Sequence, residues 1–168
     1  MKRFPFARIW LLTALCLLGV VAHEGSAASP PPVWLRIQLI WGTNDQQSPD
    51  PKHKTIDDDL AKKLSKSPFR WKHYFEVNSQ EIAIAPSESK TGIKMSSHCV
   101  IDLKNLGKDR FETKLYGKGK LLETRKDSLP KDWPLILAGN AENETAWLVV
   151  IKRIDASEVR SDKPVVAK

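Results

Sequence analysis

The feature that most constrains this chain is a strict period-two alternation between Ser97 and Gly119. Cys99, Ile101 and Leu103 alternate with Val100, Asp102 and Lys104, and Phe111, Thr113 and Leu115 alternate with Glu112, Lys114 and Tyr116. A helix would scatter those apolar residues around its circumference, whereas two strands put them on one dry face. The spacing predicts strands over Cys99–Lys104 and Arg110–Tyr116, joined by a turn from Asn105 to Asp109. Gly107 supplies the positive φ such a turn needs.

A hairpin with one dry face needs a cover, and the best candidate lies near the other end of the chain. In Thr145–Ile154 both phases are apolar: Trp147, Val149 and Ile151 on one, Ala146, Leu148 and Val150 on the other. A strand of that kind sits centrally and is covered on both sides.

The rest of the pattern is mostly strand. Val33–Trp41 places Val33, Leu35, Ile37, Leu39 and Trp41 on one face, and Trp71, His73, Phe75 and Val77 share another. A turn is expected at Asn78-Ser79, then a short strand over Glu81–Ala85 with Ile82 and Ile84 inward. Further strands are expected from Ile93, over Leu121–Arg125 at a charged edge, and over Trp133–Leu137. Thr55–Lys66 is the one helix, residues 55–66, with Ile56, Leu60 and Leu64 as its stripe. Thr55 is its expected cap, and Pro68 its stop. Asp57, Asp58 and Asp59 crowd its first turn and Lys62, Lys63 and Lys66 its last, as the helix dipole favours. The pairs Asp58–Lys62 and Asp59–Lys63 have supporting i,i+4 spacing. Successive helical residues point about 100° apart, so the three carboxylates do not converge on a metal. The expected fold is mainly β: an antiparallel β-sandwich or partly open barrel of about eight strands with one short helix.

Composition and the N-terminal segment bear on destination. Lys2, Arg3 and Arg8 precede the apolar run Ile9–Ala22, the layout of a secretory signal peptide over residues 1–27, with cleavage after Ala22 or Ala27. The run is shorter than the about 20 apolar residues of a membrane span, so no transmembrane segment is expected in the mature chain. Residues 28–32 form a proline lead-in, 33–154 a single β domain and 155–168 a flexible tail. Removing 1–27 lowers the net charge from +7 to +5 and leaves Cys99 as the one cysteine. No internal disulfide is then available. A mature domain of about 140 residues buries a core without one, and export without disulfides suits a bacterial periplasm or extracellular space.

Little chemistry is legible. His53, His73 and His98 lack metal-ligand spacing, and one cysteine cannot build a cysteine-rich zinc site. No metal and no cofactor is expected. His98 and Cys99 are adjacent in an extended segment and point apart, so they do not form a base–nucleophile pair. Ser87-Glu88-Ser89-Lys90 and Ser128-Leu129-Pro130-Lys131 both carry a Ser-x-x-Lys spacing, but in polar loops rather than at a buried helix start. An enzyme is not expected; an uncharacterised hydrolase is the least favoured alternative. Asp102 and Glu112 stand among Lys104, Arg110 and Lys114 on the hairpin's wet face, a mixture that reads as a solvated surface and not as a nucleic-acid footprint.

The aromatics are more informative. Trp41, Trp71 and Trp147 have core phases, whereas Trp34, Tyr74, Tyr116 and Trp133 fall on wetter ones. Those four are the candidate ligand-binding residues, able to stack on sugar rings or anchor a partner. The expected function is a non-enzymatic binding or structural module of the cell envelope, its partner an envelope protein or polysaccharide. The alternative is a carbohydrate-binding module built on the four aromatics.

Overall fold

A computed structural model describes residues 30–66, 69, 71–140 and 145–159. The expected signal peptide, Pro68, part of the Gly139–Asn143 turn and residues 160–168 lie outside the described residues. Within them the order is β1 (Val33–Thr43), β2 (Lys54–Thr55), α1 (Asp58–Leu64), β3 (His73–Ile84), β4 (Ser89–Lys94) and β5 (Cys99–Gly107). There follow β6 (Arg110–Gly117), β7 (Lys120–Ser128), β8 (Leu135–Asn140) and β9 (Ala146–Ile154). They form two antiparallel sheets, β2-β3-β1-β9-β8 and β4-β5-β6-β7. The fold is the mainly β sandwich that the alternation predicts, with one helix.

The sheets close on one dry core. Leu35, Ile37 and Leu39 of β1 and Val149 and Ile151 of β9 meet Cys99, Ile101, Leu103, Phe111 and Leu115 of the β5–β6 hairpin. The cover expected for the hairpin is therefore the one it has. The other face of the five-stranded sheet carries a second core, in which Ile40, Tyr74, Leu148 and Val150 pack against Ile56, Leu60 and Leu64. Leu148, Val149, Val150 and Ile151 are all 0% exposed. The doubly apolar sequence of β9 follows from this placement between a second sheet and a helix. Polar pairs continue on that face, with Arg36 held 2.6 Å from Glu81 and Gln38 donating to Glu76 at 2.5 Å.

Helix α1 is shorter than its spacing predicts. Lys54 and Thr55 pair with Glu76 and Phe75 as β2, so Thr55 is not the cap. Asp57 caps instead, its carboxylate accepting the Leu60 N–H at 2.8 Å. The apolar stripe lies buried as expected, but the charges pair differently. Lys62 sits 3.8 Å from Asp59, Lys152 sits 3.7 Å from Asp57, and Lys63 donates to the Asp132 carbonyl at 2.9 Å.

The largest correction concerns β3, which runs unbroken through the turn expected at Asn78-Ser79. Leu39 pairs with Asn78 but Ile40 with Glu76, leaving Val77 as the extra residue of a bulge. One inserted residue shifts the inward phase, so Ile82 and Ile84 keep to the core although their parity differs from that of Val77. Beyond the bulge, Asn78 donates to the Met95 carbonyl at 2.8 Å and Gln80 to that of Lys94 at 2.7 Å, tying the two sheets together along this edge.

The β5–β6 connection is also tighter than expected. Gly107 does take a positive φ of 78°, but within the end of β5, and the loop is Lys108-Asp109 with φ of 51° and 60°. The β6–β7 loop repeats the design with Lys118 and Gly119, φ 50° and 76°. Two positive φ values mark the turn whose twist matches that of the strands it joins. After β9, Ala156–Glu158 forms a short 3-10 turn within the expected tail. No helix among the described residues is long and apolar enough to cross a membrane.

Candidate functional site

Where the two sheets part at one end, a cleft of about 400 Å³ opens between them. Its lining comes from β1 (Leu39), the turn before β5 (Ser96, His98), β5 itself (Cys99), the β6–β7 corner (Gly117, Lys118), β7 (Leu122) and β9 (Trp147). The volume lies in the range of small-molecule sites, which are mostly apolar with a few placed polar groups.

Each apolar wall depends on a glycine. Trp147 pairs with Gly139 of β8, and a Cβ at that glycine would collide with the six-membered ring of the indole. Gly117 stands against Leu122, where a Cβ would lie 2.5 Å from Cδ1. Leu122 is there because β7 is bulged. Leu115 pairs with Glu123 and Tyr116 with Leu121, so Leu122 is the residue without a register partner.

The rim is held by main chain. The N–H groups of Met95 and Ser96 both donate to the Cys99 carbonyl, at 2.9 and 3.1 Å. The Ser96 hydroxyl accepts from the His98 N–H at 3.1 Å, and the Lys118 N–H donates to the His98 carbonyl at 2.9 Å. His98 and Lys118, both exposed, are thus joined across the mouth. Cys99 is buried and free, and burial pushes its thiol up to about 11. At neutral pH the sulfur keeps its proton, and it is the thiolate that attacks. Cys99 is a buried, apolar part of the lining.

The four aromatics singled out from the sequence do not come together. Tyr74, expected on a wet phase, is 6% exposed in the core beneath α1. Its hydroxyl donates to the Leu64 carbonyl at 3.0 Å, anchoring the end of the helix, and burial raises its pKa. Tyr116 lies on the outer face of the other sheet and donates to Asp102 at 3.0 Å; that hydrogen bond, with burial and the carboxylate's charge, raises its pKa. The inter-sheet core separates these two residues. Trp34 is half-buried beside a groove shared with Pro32, Arg153 and Ile154. Trp133 is 54% exposed, with the Lys63 ammonium 5.6 Å from its ring centre. With Tyr74 buried under α1 and Tyr116 on the outer face of the other sheet, the four do not share one surface.

The other candidates resolve into structure. Lys90 of the first Ser-x-x-Lys match is 2.5 Å from Glu88, and Lys131 of the second is 2.9 Å from Asp155. On the hairpin's outer face Glu112 lies 3.0 Å from Lys126 and 3.8 Å from Lys114; Lys126 above all holds its carboxyl below the usual range. Mixed charges there pair with one another, as a solvated face would. Among the described residues no three His, Cys, Asp or Glu side chains gather to hold a metal ion.

The sequence reading assigns Trp147 to packing, weighs His98 only as a metal ligand or as a base beside Cys99, and does not single out Leu122 or Lys118. One signal was present: Leu121-Leu122, two adjacent leucines in an otherwise polar and charged strand. No protein-family model, curated protein or solved structure matches the chain.

Proposed function

We propose that the protein is an exported, non-enzymatic β-sandwich module of the cell envelope that binds an apolar ligand in the cleft between its sheets. The observation that carries the reading is the construction of the cleft. Both of its large apolar walls, Trp147 and Leu122, occupy space that a glycine leaves open. Deeper between the sheets, Leu35, Ile37, Ile101, Leu103 and Phe111 are buried against one another in the core. The basic, apolar and small-residue run at the N-terminus supports export.

The test is Nile red fluorescence with the purified protein. A blue-shifted, saturable signal is expected, strongly reduced in L122Q, whose leucine is half-exposed and so dispensable for folding. A saturable signal that L122Q leaves intact would place the apolar site elsewhere and overturn the reading.

A further inference from the structure

We infer that the ligand of the cleft is a single-chain amphiphile with an anionic head, a fatty-acid-like carboxylate being the simplest form. This inference rests on the binding reading above and adds the ligand's chemistry. The lining is polarised. Leu39, Cys99, Leu122 and Trp147 make an apolar interior, while Ser96, His98 and Lys118 supply its polar edge. Among the described residues no aspartate or glutamate lines the cleft, and Lys118 is the one lysine or arginine that does.

Lys118 is also held in place. It occupies the first position of a tight turn with φ of 50°, a left-handed conformation uncommon for a residue with a Cβ. Its N–H is bonded to His98 across the rim. Many lysines of this protein neutralise a neighbouring carboxylate, as Lys90, Lys126, Lys131 and Lys152 do. Among the described residues Lys118 has no carboxylate within ion-pair distance. A chain laid along Trp147 and Leu122 with its charged end at Lys118 would satisfy both halves of the site. A neutral lipid would leave the cation unused, and a sugar would bury hydroxyls against partnerless apolar walls.

The experiment is calorimetric titration of the full folded protein with three probes of one chain length, decanoate, decanol and decyltrimethylammonium, each below its aggregation concentration. Decanoate should bind most tightly and the cation most weakly. K118Q should weaken decanoate by about threefold to fivefold, the size of an exposed ion pair, and leave decanol unchanged. Raising the salt concentration should do the same. L122Q should weaken all three probes. Equal affinity for decanoate and decanol in the unaltered protein would overturn the anionic head while leaving the apolar cleft standing. Nile red binding without binding of any decyl probe would overturn the amphiphile itself. Failure of Nile red as well would remove the cleft reading beneath it.

Discussion

Gly139 and Trp147 face one another across the β8–β9 pair so closely that a methyl group at the glycine would occupy space filled by the indole. The relationship links backbone register to the shape of the cleft. G139A should force the ring off its position, at a cost of about 1–3 kcal/mol, the range for overpacking. Urea denaturation should show a lower midpoint at unchanged slope. Nile red binding should fall with it, since the displaced ring is one wall of the site.

Helix α1 depends on a single cap. D57A removes the acceptor of the Leu60 N–H and should cost about 1 kcal/mol. D58A, at a first-turn residue that is not the cap, should cost less. The same denaturation experiment distinguishes them, and equal losses would show that charge rather than capping matters at this end.

Tyr74 tests whether the aromatics act structurally. Y74F deletes the hydroxyl that donates to the Leu64 carbonyl and should cost about 1 kcal/mol or somewhat more, because that carbonyl is left without its partner. Ligand binding in the cleft should be unchanged, since Tyr74 lies on the opposite side of the five-stranded sheet.

Cys99 gives the protein an alkaline limit. Its thiol rises from an ordinary 9.0 to about 11 on folding, through burial. Between those values the unfolded chain has lost a proton that the folded one keeps, so stability falls as pH rises. The contribution is complete below about pH 9 and gone above about pH 11. C99A, although less stable at neutral pH through the cavity it leaves, should show a flatter decline across that window. The folded thiol should also resist iodoacetamide at pH 8 and react once urea exposes it.

Export is testable at the N-terminus. Protein recovered from an envelope or culture fraction should begin after Ala22 or Ala27. An intact Met1 in that fraction would contradict cleavage.

What the sequence disclosed and what it concealed have one physical explanation. Alternation is legible wherever pairing is regular, and so the hairpin and the doubly apolar β9 were readable from their residues alone. A bulge inserts one residue and reverses the phase, and the bulges at Val77 and Leu122 did damage. The one at Val77 made a continuous strand look like a turn at Asn78-Ser79, and the one at Leu122 hid a wall of the cleft in a charged edge. The pairing of Gly139 with Trp147 is a register relation between strands, invisible to any window along the chain. Tyr74 was misread because its face of β3 seemed wet from Lys72, Glu76 and Asn78. The helix that covers Tyr74 comes from elsewhere in the chain.

The most direct test of the central claim is a heteronuclear NMR titration of the folded protein with decanoate. The account predicts shifts concentrated in the amides of Ser96, His98, Cys99, Gly117, Lys118 and Leu122 and in the indole N–H of Trp147. Shifts centred instead on Trp133 and α1, or on Tyr116 and the outer face of its sheet, would contradict it.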